Sequence, residues 1–305
     1  MRRIVSLFAF LTAVFAVVLH PVAIQARPIV SIEIDSGNLL SVDPFTGAVT
    51  TVGPSGTAGY YFPISSSPVA SSYFALSPIN HYLLKYPQAG AYGTPDFALW
   101  DIFPIHNVPN PGPEDFAYDS VSGRLFALAR GFEGMPAGLL ELHDTGAPIS
   151  SSPNSHLLSG TYIARAPDFS AMTLIEAIDG VGLFGTDGHA AYMINEVTGL
   201  VTVLPPLVYA GPTLTGIAYD PDSGRLIGVN GPLFPIGGVS PISSVFRIEP
   251  MTGQVTLLNS NAPGMHGLAG VNVPEPGSVL LVAAGFFGVL ATGRRRAGIA
   301  AKSTR

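Results

Sequence analysis

The chain has 305 residues, of which 47% are apolar and 11% charged, with 35 glycines, 28 prolines and no cysteine. Glycine and proline together make up about a fifth of the chain, which favours strands and turns over helices. Because cysteine is absent, disulfide scaffolds, thiolate zinc sites, iron–sulfur clusters and thiol nucleophiles are excluded.

The N-terminus predicts a secretory signal peptide over residues 1–26. A pair of arginines precedes an uncharged run at 4–19, and a short polar stretch then closes on Ala26. This is the order of regions in a signal peptide, and we expect cleavage between Ala26 and Arg27. The alternative is an uncleaved anchor, although the run is shorter than the roughly 20 residues that a spanning helix needs. In either case we expect the chain to leave the cytoplasm.

Two kinds of hairpin recur along residues 27–273. One kind carries Ala-Tyr-Asp, Ser-Gly and Arg-Leu in the same phase, at 115–129 and 216–230. The other kind has Thr-Gly in a turn between apolar strands, at 40–50, 192–202 and 246–256. In the Asp-Pro-x-Thr-Gly form, Asp caps the turn, Pro presets φ and Gly supplies a positive φ. Both patterns therefore predict antiparallel strand pairs.

Hairpins of the two kinds, joined in order, make four antiparallel strands in about 45 residues, a repeat typical of a β-propeller. We predict an all-β fold, a propeller of about five four-stranded blades flanked by an N-terminal signal helix and a C-terminal transmembrane helix. The strand at 266–271 is expected to join 30–52 and close the ring. The other blades are expected at 62–102, 114–163, 172–204 and 214–259. The repeats also resemble those of secreted bacterial propellers of the YVTN and quinoprotein-like kind, which implies architecture only.

A three-part pattern occupies residues 274–305, in which a Pro-Glu-Pro motif is followed by an uncharged run and three arginines. Its residues are Pro274, Glu275 and Pro276, then the run 279–292, then Arg294, Arg295 and Arg296. The pattern resembles the PEP-CTERM sorting signal of Gram-negative bacteria. That resemblance implies cleavage near the motif by an exosortase, an integral-membrane transpeptidase-like protease. It also implies delivery to the cell surface or beyond, often in bacteria that make extracellular polysaccharide.

The physical properties of this tail agree with sorting. Prolines keep the motif extended, the uncharged run places it at the membrane, and the arginines hold the tail on the cytoplasmic side. The alternatives are an ordinary core helix or an anchor that is never cut, and the 17 uncharged residues at 277–293 do not decide between them by length. The flanking motif and arginines favour the sorting signal, with a transmembrane helix that contacts the membrane before processing.

The charge of the domain between the ends excludes a nucleic-acid partner. Residues 27–276 hold all twenty acidic side chains and seven basic ones, a net charge of −13. The basic residues are scattered singly, whereas phosphate binding needs a clustered positive face. We therefore expect an acidic extracytoplasmic domain.

The sequence predicts no catalytic residue, no metal ligand and no cofactor. Neither G-x-S-x-G nor H-E-x-x-H occurs. Calcium stays an alternative because several acidic residues lie in turns, but a turn-capping role explains them equally well: Asp43, Asp119, Asp220 and Asp222. A central metal held by histidines from different blades is a further alternative, with His106, His189 and His266 as its ligands.

We expect an exosortase-sorted protein of the cell surface or extracellular matrix, exported across the inner membrane, whose non-catalytic propeller presents a binding surface. Its expected partners are the exosortase, the export machinery and an extracellular polysaccharide. Two alternatives remain open. One is a propeller enzyme, a hydrolase or lyase acting on a polysaccharide or lactone, and the other is a module that binds a metal or small ligand.

Overall fold

The described part of the chain consists almost entirely of β-strands and tight turns. The computed structural model describes residues 29–54, 62–67, 72–77, 82–87, 99–106, 113–119, 121–131, 136–149, 152–209, 211, 213–231 and 241–270. The strands are β1 Ile29–Glu33, β2 Asn38–Val42, β3 Val49–Pro54, β4 Phe62–Ser67, β5 Ser72–Ser77, β6 Tyr82–Pro87, β7 Leu99–His106, β8 Pro113–Asp119, β9 Arg124–Ala129, β10 Gly138–Ile149, β11 Ser152–Arg165, β12 Leu174–Ile178, β13 Gly182–Thr186, β14 Ala191–Ile194, β15 Val201–Leu204, β16 Leu214–Asp220, β17 Arg225–Asn230, β18 Ile242–Glu249, β19 Gln254–Pro263 and β20 Met265–Gly270. One 3₁₀ turn, Pro167–Ala171, buries Phe169.

These strands form four-stranded antiparallel units, as the repeats predict. Three units are separate sheets, with the strand orders β20-β1-β2-β3, β12-β13-β14-β15 and β16-β17-β18-β19. The other two units, β4–β7 and β8–β11, form one eight-stranded sheet. They are joined because their fourth strands, β7 and β11, pair in parallel. This pairing covers two strand edges that would otherwise be exposed. The structure therefore has four sheets, whereas about five separate four-stranded blades were predicted.

The sheets surround a common centre, so the fold is an all-β propeller. The first strands of the units, which we call the inner strands, contact one another in the closed order β20, β4, β8, β12, β16 and back to β20. The apolar core lies between neighbouring sheets. On β12, Ile175 and Ala177 pack toward β8 and β9, whereas Leu174 and Ile178 pack toward β16 and β17. The alternating side chains of one inner strand thus fill two different interfaces.

The two ends of the domain close the ring, as predicted. β20 pairs antiparallel with β1, with Ile29 opposite Gly270 and Ile32 opposite His266. A bulge lies between Val30 and Ile32 in this pairing. There the buried Ser31 hydroxyl donates to the carbonyl of Gly267 at 2.8 Å. The closing sheet is therefore assembled from the first and last strands of the domain.

Each unit has two distinct edges. Because its strands alternate in direction, the turns joining strands one to two and three to four lie at one edge, which we call the turn edge. Turns joining strands two to three lie at the other, the loop edge. In the closing sheet, Ile29 and Gly270 lie at the turn edge, since β20 takes the place of strand one and β1 that of strand two.

The two flanking helices that we predict lie outside the described residues. Among the described residues, no helix is long and apolar enough to cross a membrane.

Candidate functional site

The acidic and amide side chains of the repeated turns cap their own backbone. Asp43 Oδ1 accepts hydrogen bonds from the amides of Phe45 and Thr46, at 2.8 and 3.1 Å. Asn195 Oδ1 does the same for Val197 and Thr198, at 3.0 and 2.9 Å. Short polar side chains favour such turns because they satisfy amides that the turn leaves unpaired.

Two further residues that the sequence offers for calcium are also capping groups. Asp119 accepts from the amides of Val121 and Ser122, at 3.0 and 2.9 Å. Asp220 accepts from the amide of Asp222, at 3.2 Å. Within the described ranges there is no group of three or more histidine, aspartate or glutamate residues that could hold a metal ion.

The turns also expose apolar side chains at their tips. In the turns between strands three and four, Phe45, Val197 and Met251 hold the same position, two residues after Asp43, Asn195 and Glu249 respectively. These three side chains are 47%, 71% and 61% exposed. In the turns between strands one and two, Val121 and Val181 are 70% and 59% exposed. We call these five side chains the tip residues. All of them lie at the turn edges of their sheets.

Two carboxyl groups lie between neighbouring inner strands. Asp115 Oδ2 on β8 accepts from the amide of Ile175 on β12, at 2.8 Å. Glu176 Oε1 on β12 accepts from the amide of Tyr219 on β16, at 3.0 Å. Each inner strand is the edge of its sheet, and its outward amides lack a strand partner. The two carboxyl groups therefore link three inner strands by capping edge amides.

These two groups are strongly perturbed acids. Burial raises the pKa of Asp115 to about 8, although the amides of Ile175 and Phe116 act against this shift. Burial also raises the pKa of Glu176 well above its usual range, and the nearby charges of Asp115 and Asp179 add to the effect. Burial therefore favours the protonated form of both carboxyl groups. A protonated carboxyl group can donate a hydrogen bond or act as a general acid.

One oxygen of this pair stands out among the buried polar atoms of the described residues. Glu176 is 3% exposed, and its Oε2 is buried without a hydrogen-bond partner. A buried polar atom in that state costs stability unless water or a ligand satisfies it. Neither carboxyl group was predicted from the sequence. The only available signal was an acidic residue within an otherwise apolar strand, as in Leu-Ile-Glu-Ala-Ile at 174–178.

A second group of charged residues joins two units at the turn edge. Burial and the charge of Asp119 raise the pKa of Glu196, whose carboxyl group is hydrogen-bonded to Asp119. Asp119 is the last residue of β8 and Glu196 follows β14, so this contact places the two turn edges on one side of the ring. Nearby, Arg124 binds Glu141 through two hydrogen bonds of 2.9 and 2.5 Å. The arginine lowers the pKa of Glu141.

An aromatic group lies at the loop edge. The ring of His189, in the turn between β13 and β14, stacks on Tyr209 with centroids 5.7 Å apart and planes 26° apart. Tyr209 in turn contacts Phe246 at 5.3 Å. His189 is exposed, so its outer face is open to solvent. Such a platform can stack against the apolar face of a sugar ring.

The three histidines of the central-metal alternative lie at different distances from the centre of the ring. His106 lies on β7, a fourth strand, and His266 lies on β20, an inner strand. His189 lies in a turn between a second and a third strand.

The residues predicted for sorting and for signal cleavage lie outside the described residues. They are Pro274, Glu275, Pro276, Arg294, Arg295, Arg296, Ala26 and Arg27.

The family comparison bears directly on the C-terminal residues. Residues 272–296 match the model of the PEP-CTERM protein-sorting motif. The chain carries a PEP-CTERM sorting motif. Proteins with this motif are exported and sorted by exosortase to the cell surface, so this is an exosortase-sorted protein with a β-propeller domain. The match confirms the resemblance seen in the sequence, and it covers the tail alone.

Among solved structures, the chain is similar to a streptogramin B lyase, at 14% identity and TM-score 0.35 over 78% of this chain and 70% of that one. It is also similar to virginiamycin B lyase from Staphylococcus aureus, at 14% identity and TM-score 0.34 over 78% of this chain and 71% of that one. A third similar structure is YCF48 bound to D1 peptide, at 15% identity and TM-score 0.35 over 65% of this chain and 54% of that one. No curated protein matches the chain.

Proposed function

We propose that this protein is an exported protein of the cell surface or extracellular matrix, whose propeller is non-catalytic and presents a binding surface. The sorting motif at residues 272–296 is the observation that carries the proposal. It implies the exosortase and the export machinery as partners. Before processing, the apolar segment that follows the motif would hold the chain in the inner membrane.

The proposed organisation is a signal peptide at 1–26, a propeller at 27–273 and a sorting region at 274–305. Five blades are the count that the ring supports, because five inner strands contact one another in closed order. On this count the eight-stranded sheet is two blades, whose fourth strands pair with each other.

The proposed ligand is an extracellular polysaccharide, bound at the loop edge. The described charged groups are largely engaged within the fold, since they cap turns, cap strand edges or form ion pairs such as Arg124–Glu141. The exposed ring of His189, supported by Tyr209 and Phe246, remains open for stacking. Its aromatic surface suits a neutral sugar ring, and a domain with a net charge of −13 disfavours an anionic polymer.

The sorting part of the proposal is tested by replacing Pro274, Glu275 and Pro276 with alanine and, separately, by deleting the exosortase. We expect both changes to leave an unprocessed chain in the inner-membrane fraction, as judged by fractionation and by the mass of the chain. Lys302→Ala is the matched control, since it leaves the motif and the arginine cluster intact. Unchanged processing in the altered strains would refute sorting by this motif.

The binding part is tested at His189 with variants that differ in ring content. We expect His189→Ala to weaken retention on polysaccharide-producing cells about fivefold, the effect of losing one ring contact. His189→Phe keeps a ring in place and should bind like the parent protein. Equal retention of all three proteins, or retention on cells that make no polysaccharide, would contradict the proposed ligand.

The carboxyl pair between the inner strands favours a second candidate, a propeller enzyme that cleaves a polysaccharide or lactone. Glu176, whose pKa is raised by burial and whose Oε2 has no hydrogen-bond partner, would act as the general acid. The test is turnover of the cell's own polysaccharide by the purified protein. Activity that Glu176→Gln abolishes without loss of binding would favour the enzyme, and absence of turnover in the parent protein would rule it out.

A further inference from the structure

The tip residues form a repeated apolar feature that the proposed function does not use. Phe45, Val197 and Met251 occupy the same position in three turns, and each is about half exposed or more. Polar residues are usual at such tips. Val121 and Val181 are also exposed, in the turns between strands one and two. Together the five tip residues make an exposed apolar surface on one side of the ring.

The chain continues toward the sorting motif from the same side. β20 ends at Gly270, at the turn edge of the closing sheet, and the matched motif begins at residue 272. Ile29, the first residue of β1, pairs with Gly270. Both uncharged segments of the sequence, at 4–19 and 279–292, are thus joined to the turn edge.

Only a short stretch of chain joins the turn edge to the uncharged run. Eight residues lie between Gly270 and Val279, where that run begins. Even when fully extended, this stretch covers at most about 32 Å. The uncharged run therefore starts within that distance of the turn edge of the closing sheet.

We propose that, before processing, the tip residues rest on the surface of the lipid bilayer that holds the C-terminal apolar segment. This rests on the membrane-anchored stage of the proposed function. The tips bury in the interfacial layer as small apolar anchors. The same edge carries the capping acids Asp43, Asp119 and Asp220, so the contact is closer on a neutral bilayer than on an anionic one.

The full chain lacks cysteine, so single-cysteine variants report on one position each. Val197→Cys and Met251→Cys are labelled with bimane and reconstituted, as full-length protein, into phosphatidylcholine vesicles with bromine-substituted acyl chains. Ile242→Cys is the matched control. It is an exposed apolar residue, 59% accessible, at the start of a third strand and hence at the loop edge. We expect quenching of roughly twofold or more at both tips and none at the control, with less tip quenching when anionic lipid is added.

The outcomes separate this inference from the proposed function. Failure of the full chain to co-float with the vesicles would count against the membrane-anchored stage itself. If the chain co-floats but the tip and control probes are quenched equally, the bilayer contact is refuted, including the case in which this face docks on a protein instead. If one labelled variant unfolds, as judged by circular dichroism, Val121→Cys replaces it, since that tip is 70% exposed.

Discussion

Replacing Gly199 with alanine tests how neighbouring units pack. Gly199 has a φ of +67°, and a Cβ built on it lies 2.2 Å from the Cβ of Ala164 on β11 of the preceding unit. The left-handed backbone costs an alanine about 1 kcal/mol, and the overlap with Ala164 adds about 2 kcal/mol. We expect a total loss of about 3 kcal/mol, which lowers Tm by about 9 °C in a domain of this size.

Gly224 supplies the control for backbone strain alone. Its φ is +69°, and nothing lies within 4 Å of a Cβ built there. Gly224→Ala should therefore cost about 1 kcal/mol, or about 3 °C in Tm. In the double variant Gly199→Ala with Ala164→Gly, the overlapping carbon is removed and most of the additional loss should be recovered. If thermal unfolding shows equal losses for Gly199→Ala and Gly224→Ala, close packing between the units is not what makes Gly199 necessary.

Three further predictions concern the polar contacts. Burial raises the pKa of Asp115 to about 8, so between about pH 4 and pH 8 the folded state binds more protons than the unfolded state. The free energy of unfolding should therefore fall as the pH rises from 5 to 8, by up to about 1.4 kcal/mol per pH unit. Asp115→Asn should flatten that profile in urea titrations, and an unchanged slope would refute the assignment. Asn195→Ala removes two caps and should cost about 1 kcal/mol in urea unfolding, with Asn195→Asp close to the parent. Ser31→Ala leaves the Gly267 carbonyl without its buried donor and should cost about 1–2 kcal/mol; a neutral result would show that water replaces the hydroxyl.

The features that the sequence predicted well are those set by local chemistry. The Thr-Gly turns are recognisable because Gly47, Gly199 and Gly253 all require a positive φ, which few other residues tolerate. Ring closure was also predictable, because 266–271 matches the first-strand pattern without a following second strand. The predicted blade ranges lie close to the observed units, for example 172–204 against Leu174–Leu204.

The features that the sequence left hidden depend on contacts between units. Parallel pairing of β7 with β11 needs two outer strands to meet in space, and neither strand carries a local mark of that pairing. The caps of Asp115 and Glu176 on neighbouring strands join residues 60 and 43 positions apart. Strand periodicity predicts that position 176 is buried, but it cannot identify the Tyr219 amide that binds the Glu176 carboxyl group there.

The repeated glycines show why local and distant requirements coincide in this fold. Gly47 and Gly253 meet the preceding unit as Gly199 does: a Cβ at Gly47 lies 2.7 Å from Leu258 Cβ, and one at Gly253 lies 2.2 Å from the carbonyl oxygen of Pro206. Residues that let a strand reverse thus also let each unit approach its neighbour. In a domain without disulfides, ring stability depends on such contacts and on the β20–β1 pairing. A change that weakens that pairing should therefore loosen the ring at Gly270, which pairs with Ile29 and lies two residues before the matched sorting motif.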